Sequence, residues 1–579
     1  MKMDRRDLLR IFLVAALLTV LNAFKPLHID DGTFYQNARQ ISLHPLDPYG
    51  FSLLCYSQMT PGNQALSPPV FPYWWGLGMV LFGHHPVLWK LWLFPICFML
   101  VFSLTALTRR FAAGLEWPLT WMVSLSPAVL PSVNLMMDIP ALALNLFAIV
   151  VFIRAVDERS ISLAIISGLV TGLSIQTKYT GFLALGAIVL YSLVAGRRAL
   201  GALSGAVSLA VFGAWETFMH FRYGSSHFLF HFGKHPTNNL LLIQLFASIF
   251  SFVGGLSPVL IPLGLAARYR SRTSVLLASG LILAVFAHIV FSPTRFFEAS
   301  ASLTLGVIRP QYLFFGMGMV VFMLAGNALL RLWEKAQQPQ EKIATLFLGS
   351  WLLLEVAGVL FISPFPAARR VIELTVVLVL ILGRIASRSI GTPDWRPWVH
   401  GLAAFSILLG LGYAAVDYWE AYTQKNAARE AARVIRTHEP GANIWYVGYW
   451  GFQFYADEEG MRQVVPLPPA DGLGAETSAA SHPPNASTLR EGDWLVVPDS
   501  RIPQQLLAQL SPLDQELLEL RETTVAQDSL HVRTLWGYYS GNVPLQREPS
   551  PRLVVYLLRV KKDFVPQAPK VDQRSSPPL

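Results

Sequence analysis

Charge is scarce in this 579-residue chain: Asp, Glu, Lys and Arg together make up 14% of it, against the roughly 25% usual for a soluble domain. That shortage excludes water as the main solvent for most of the sequence. Cysteine is scarcer still, with only Cys55 and Cys97. They form neither a Cys-x-x-Cys pair nor a ligand array, which excludes a disulfide framework and a cysteine-based metal centre. His28, His44, His84 and His85 lack a firm ligand spacing such as His-Glu-x-x-His. No ligand motif therefore supports a cofactor, and a divalent metal stays open as an alternative without one. The net charge of +9 raises the question of nucleic acid, but the Arg and Lys residues fall in short clusters between apolar blocks rather than on one face of a domain. No nucleic-acid partner is expected.

What the chain has is apolar sequence, 53% of its residues, in blocks of about 17 to 25 residues, the length that crosses ~30 Å of hydrocarbon. About thirteen spans are expected, to within one, near 8 to 24, 87 to 107, 117 to 133, 139 to 156, 161 to 176, 181 to 195, 199 to 218, 240 to 266, 274 to 292, 311 to 330, 343 to 362, 371 to 387 and 398 to 416; those from 117 to 176 are short and closely connected, which leaves a re-entrant pair there as the alternative. The first has a basic start like a signal peptide, but it lacks a small-residue cleavage site, so an uncleaved span is expected. With the N-terminus in the cytoplasm, the inner connections hold Arg109/Arg110, Arg154/Arg159, Arg197/Arg198, Arg268/Arg270/Arg272, Arg331/Lys335/Lys342 and Arg384/Arg388/Arg396. This distribution satisfies the positive-inside rule. The first outer loop, 25 to 86, holds only Lys25 and Arg39 as basic residues, which gives the same orientation.

The expected domains are a membrane domain, 1 to 416, and a soluble extracytoplasmic α/β domain, 417 to 579, with a flexible end. Strand-like runs at Asn443 to Tyr449, Trp494 to Val497 and Leu553 to Val560 carry the second domain. Asn485-Ala-Ser is a glycosylation sequon where a host has the machinery.

Ionisable residues near a span are functional candidates by default. On the outer face the threading gathers Asp30 and Asp31 after the first span and Asp138 between the third and fourth. It also gathers Lys178 between the fifth and sixth, Arg309 before the tenth, and Arg369 and Arg370 before the twelfth. A carboxylate can take a proton from an acceptor hydroxyl while Lys and Arg stabilise a departing phosphate. Such a leaving group needs little protonation, so one carboxylate suffices where a glycosidase uses two. Charges held by phospholipid headgroups or by one another are the plainer alternative. The prolines of Ser67-Pro68-Pro69-Val70-Phe71-Pro72-Tyr73-Trp74-Trp75 imply loop rather than helix, while the aromatics suit short helices lying at the interface; Tyr35, Tyr73 and Trp74 are candidate substrate contacts or simple interface aromatics.

These motifs, in their order, resemble the bacterial protein O-mannosyltransferase-like glycosyltransferases of the GT-C fold, including the lipid A aminoarabinose transferase branch. The resemblance is carried by Asp30-Asp31 with Tyr35 and Ala38, Ser-Pro-Pro-Val-Phe-Pro-Tyr at 67 to 73, and Met-Asp-Ile-Pro-Ala-Leu-Ala at 137 to 143. Gly-Leu-Ser-Ile-Gln-Thr-Lys-Tyr at 172 to 179 and Val-Gly-Tyr-Trp-Gly-Phe-Gln-Phe-Tyr at 447 to 455 complete it. It implies an all-α, polytopic GT-C-like membrane domain with an extracytoplasmic active site in a bacterial inner membrane. It also implies a polyprenyl-phosphate-linked sugar donor, a protein, lipid A or glycan acceptor, and transfer with inversion. Asp30 matches the family's acidic residue in the first outer loop, usually followed by Glu where this chain has Asp31, so either is the candidate base. Asp138 matches the second acidic site, orienting the acceptor or stabilising positive charge at the anomeric carbon, and Lys178 matches a basic position near the donor phosphate. Arg369-Arg370 stands where many relatives have a basic-aromatic pair. A non-catalytic transporter or lipid-binding membrane protein is the rival; it calls for ionisable residues deep within helices and for broken helices at mid-membrane.

Overall fold

The computed structural model describes residues 3–55, 58–232, 239–291, 310–363, 365–467, 486–505, 507–510, 516–527, 532–541, 543–547 and 552–568. The chain divides into two compact units, both discontinuous in sequence. One comprises Met1–Phe24, Ser67–Asp417 and His531–Pro549; the other comprises Lys25–Leu66, Tyr418–Leu530 and Ser550–Leu579. By this division the segment 25–66 joins the C-terminal unit and 531–549 joins the helical one.

The helical unit makes this a multi-pass membrane protein. Among the described residues seven helices are long and apolar enough to cross a bilayer, or eight if the pair Leu241–Leu256 and Leu260–Tyr269, bent by 80°, is one span. Every expected block except 117 to 133 coincides with a helix or with this bent pair. Asp138–Glu158 is the central element: 83% of its apolar window is buried, against 17% for Arg198–Tyr223, whose sides are left for lipid. Gly168 and Gly172 bring Ile161–Ile175 against Arg198–Tyr223, as in small-residue packing of membrane helices. A Cβ on Gly168 would lie 2.5 Å from the Ser204 carbonyl oxygen, and one on Gly172 would lie 2.6 Å from Val211 Cβ.

Two expectations are corrected. The block 117 to 133 is a helix only over Glu116–Ser124; the following residues to Met137 are non-helical and buried, because Pro127 and Pro131 interrupt the backbone ladder. Non-helical backbone at membrane depth is tolerated where protein buries and satisfies it. Here Tyr538 donates to the Ala128 carbonyl (2.7 Å), Asn22 Nδ2 to the Leu130 carbonyl (3.1 Å), and Ser126 Oγ accepts from the amides of Ala128 and Val129, both 3.2 Å. The second concerns 67 to 75: Val70–Phe82 is a helix, the alternative that its aromatics suited, where the prolines implied a loop. Pro72 falls in its first turn, where a missing N–H has no intrahelical partner to lose.

The other unit is built on a five-stranded sheet in the order Arg462–Gln463, Ile444–Tyr446, Trp494–Pro498, Arg552–Val560, Leu518–Gln527. The first three strands are parallel, and the last two join antiparallel. All three expected strand runs are present. Val447, Val464, Leu489, Leu495, Val497, Leu507, Leu518 and Val560 form the core. The same unit holds the helices Asp31–Leu43 and Trp450–Glu458 and a hairpin of Ser52–Cys55 with Gln58–Pro61. Arg309 and Asn485 lie outside the described residues.

Candidate active site

In the helical unit, three expected site residues come together. Asp138 is the first residue of its helix, where a carboxylate is favoured by the helix dipole and Pro140 fits the first turn. Lys178 sits in the turn between Ile161–Ile175 and Gly181–Val194, where the amides of Thr177 and Lys178 both donate to the Ser174 carbonyl, at 3.0 and 2.9 Å. Arg369 and Arg370 occupy a short 3-10 turn, Ala368–Arg370, ahead of Ile372–Ile390. Lys178 Nζ donates to Asp138 Oδ1 at 2.5 Å, and Arg369 Nη1 lies 3.4 Å from Asp138 Oδ2. The charge of Arg370 also acts on Asp138, so its carboxylate pairs with two cations within the field of a third. The Asp138 side chain is only 5% exposed, and those of Lys178 and Arg369 are 17% and 12% exposed. Burial, reinforced by Arg370 and Arg369 and opposed by Asp138, pushes the Lys178 ammonium down to about 8.

The aromatic groups that frame these cations were not legible as site residues. Phe365 lies 4.2 Å from the Arg370 guanidinium carbon, measured to the ring centroid, and 6.0 Å from that of Arg369. Tyr539 lies 6.0 Å from Arg369 on its own account. Its hydroxyl takes a hydrogen bond from Asn134 Nδ2 (3.0 Å) and is 3.1 Å from each oxygen of Asp417, a buried carboxylate that also accepts from Thr534 Oγ1 at 3.2 Å.

The helix Val70–Phe82 is tied to the Lys178 turn through the Val70 amide, which donates to the Gln176 carbonyl at 3.0 Å. Tyr73, in its first turn, is half-buried. Trp74 is engaged elsewhere: its indole stacks on Trp92 at 4.8 Å, and each indole N–H donates to the other's carbonyl, at 3.2 and 2.9 Å.

Asp30 and Asp31 belong to the sheet-containing unit. Asp31 opens the helix Asp31–Leu43 and is fully buried, its Oδ2 accepting from the His28 amide at 3.2 Å; Asp30 is half-buried. The preceding Ile29 has φ +52°, unusual for a β-branched residue, and Trp450 in the same unit has φ +63°. Such conformations cost about 1–3 kcal/mol and persist only where their surroundings enforce them. They do so here: Tyr455 accepts from the Leu27 amide at 3.0 Å, and a Cβ on Gly451 would lie 2.5 Å from the Leu27 carbonyl oxygen. Tyr35 packs edge-on against Phe454 at 5.1 Å.

A further polar group lies within the spans. Glu355 accepts from the Trp351 indole (3.0 Å), Glu373 accepts from Asn145 Nδ2 (2.8 Å), and Ser174 Oγ donates to Asn145 Oδ1 (2.5 Å). Both glutamates are buried and within electrostatic reach of one another. Their signal was present in the sequence, as carboxylates inside the blocks 343 to 362 and 371 to 387. Among the described residues no group of three or more His, Cys, Asp or Glu converges as a metal site would require.

No known protein family matches the chain by sequence, and neither does any curated protein. Among solved structures, it is similar to ArnT from Cupriavidus metallidurans in the apo state, with 15% identity and a TM-score of 0.43 over 95% of this chain and 97% of that one. The same protein bound to undecaprenyl phosphate gives 15% identity and a TM-score of 0.44, over 96% and 98%. The oligosaccharyltransferase of Archaeoglobus fulgidus in the apo form gives 12% and 0.44, over 80% of this chain and 65% of that one. Likenesses at this level carry no functional weight.

Proposed function

We propose that the chain is an integral membrane glycosyltransferase of the GT-C type, moving a sugar from a polyprenyl-phosphate-linked donor to an acceptor hydroxyl with inversion. One observation carries the reading. A lysine from one turn and an arginine from another meet on a single buried carboxylate, with a second arginine acting on it electrostatically and stacked beside an aromatic ring, an arrangement suited to a phosphate at the membrane surface. The proposed donor phosphate contacts are Lys178, Arg369 and Arg370, with Arg309 carried from the sequence alone. Asp138 holds Lys178 and Arg369, which gives it a positioning role alongside the electrostatic role that the resemblance implies.

Asp30, or Asp31, is the proposed general base. Asp30 is favoured because it is half-buried whereas Asp31 is wholly enclosed. In the reaction the base takes the acceptor proton, the acceptor oxygen bonds to the anomeric carbon, and the bond from that carbon to the phosphate oxygen breaks. Polyprenyl phosphate leaves with the electron pair. Tyr35 and Tyr73 remain proposed substrate contacts. The proposed setting is a bacterial inner membrane with the N-terminus cytoplasmic and the sheet-containing unit outside, and protein, lipid A or another glycan as acceptor.

The test is transfer from a labelled polyprenyl-phosphate sugar by the purified full chain in vesicles. Asp30→Asn is expected to slow transfer by about 10²–10⁴-fold, the usual contribution of a positioned base, and Asp138→Asn to reduce it sharply. Near-normal transfer by both variants would sink the assignment. The transporter reading gains two specific features, the buried Glu355 and Glu373 and the 80° bend between Leu241–Leu256 and Leu260–Tyr269. The same vesicles separate the two: movement of label across the bilayer with no glycosylated product favours the transporter.

A further inference from the structure

A second lipid-facing feature lies apart from the proposed chemistry. The helix Arg272–Phe291 and the start of Arg396–His438 leave a groove of about 340 Å³ between them. Val275, Leu276, Ser279 and Leu283 line it from the first helix at helical spacing, and Trp398, Gly401, Leu402 and Phe405 from the second. From Val275 to Leu283 the groove runs about 12 Å at 1.5 Å per residue, most of the depth of one leaflet of a ~30 Å hydrocarbon core. One end carries a charge. Arg272, the first residue of its helix, lies 6.0 Å from the Trp395 ring centroid and 5.8 Å from that of Trp398, which itself lines the groove. Arg272 forms no ion pair among the described residues, and the nearby Asp394 is exposed and does not engage it.

We propose that this groove binds one anionic phospholipid, its phosphate against Arg272 and an acyl chain along Val275–Leu283. A guanidinium resting on two indoles is held at the depth where Trp residues mark the membrane interface, and it keeps N–H donors for a phosphate oxygen. Below it the walls are apolar, with a single hydroxyl at Ser279, which suits a hydrocarbon chain and no polar ligand. The site is independent of the proposed transferase activity, since it shares no residue with the Asp138 cluster.

The full chain is reconstituted in nanodiscs with phosphatidylglycerol bearing a photoactivatable acyl chain, and the labelled peptides are sequenced. Labelling is expected within 275–283 and 397–405, competed by unlabelled phosphatidylglycerol and not by phosphatidylcholine. Arg272→Gln is expected to weaken competition by about fivefold, the effect of one basic residue at an anionic surface. Gly401→Leu puts a side chain into the groove at a position where an added Cβ meets nothing within 4 Å, and is expected to abolish labelling. Equal competition by phosphatidylcholine, persistence of the label in Gly401→Leu, or competition by undecaprenyl phosphate alone would each overturn the proposal. The last outcome would assign the groove to a polyprenyl carrier instead.

Discussion

If Lys178 meets a phosphate, binding must fall as pH rises through about 8, the value to which burial and the neighbouring guanidinium groups bring its ammonium. The sign follows from proton counting. In the empty site Lys178 is about nine-tenths protonated at pH 7 and about one-tenth at pH 9. A bound phosphate adds negative charge beside it and favours the ammonium form. At ~4 Å and an effective dielectric of ~20 that attraction is about 4 kcal/mol, or roughly three pH units. The complex therefore holds a proton that the empty site has released, and affinity falls about tenfold per pH unit above 8. Between pH 8 and pH 10 the loss is about 50-fold. The ligand does not cause it, since a phosphate monoester's second proton is gone near pH ~6. The assay is titration of the full chain in nanodiscs with a polyprenyl phosphate, followed by calorimetry at several pH values. Lys178→Arg keeps its charge throughout and should give a flat profile over the same range, while Lys178→Met should bind weakly at every pH. A flat profile in the unaltered protein, or the same fall in Lys178→Arg, refutes the assignment of the phosphate to Lys178.

Three further outcomes test the packing behind the site. Asn145→Ala removes the donor to buried Glu373 and is expected to cost about 1–3 kcal/mol, read as a lower Tm in detergent; an unchanged Tm would show that the bond contributes nothing. Tyr413→Phe deprives the Gly255 carbonyl, in the last helical turn before the bend, of a hydrogen bond at 3.1 Å, with a loss of about 1 kcal/mol expected from thermal unfolding. Gly168→Ala forces a methyl group against the Ser204 carbonyl and should cost about 1–3 kcal/mol, whereas Gly213→Ala, in the middle of the partner helix with open space around it, should not lower Tm. Equal Tm values for the two glycine variants would contradict the close helix approach.

The spans were legible because a bilayer imposes length and apolarity on each block separately, so Arg272–Phe291 and Pro339–Phe361 can be found without knowing their neighbours. The sheet strands were legible for a similar local reason, in their β-branched and aromatic runs. The failure at 117 to 133 was not local. Apolar composition fits both a span and a buried irregular segment, and what permits the latter is a set of distant donors such as Tyr538, some four hundred residues away. The same holds for the site. Asp138, Lys178 and Arg369 each announced themselves as charges at span ends, but their grouping on one carboxylate required the fold. Phe365, Tyr539 and Asp417 carry no such signal, because an aromatic residue or a carboxylate next to a span is ordinary until its partner is known.

Tyrosine hydroxyls explain how the helical unit keeps irregular backbone so near the cation cluster. A broken span leaves carbonyls without intrahelical donors, and in hydrocarbon each unsatisfied group costs several kcal/mol. Tyr538 and Tyr539, adjacent in one short helix, serve the segment before Asp138, reaching the carbonyls of Ala128 (2.7 Å) and Pro131 (3.4 Å). Tyr539 also lies against Arg369 and Asp417. The residues that make the break tolerable are thus tied to those that hold the cations. A helix continuing through 125–137 would satisfy its own carbonyls and have no use for these hydroxyls, and it would move Asp138 off the first turn of Asp138–Glu158. The interruption at Pro127 and Pro131 is therefore part of what sets Asp138 at a helix start, where its carboxylate meets Lys178 and Arg369.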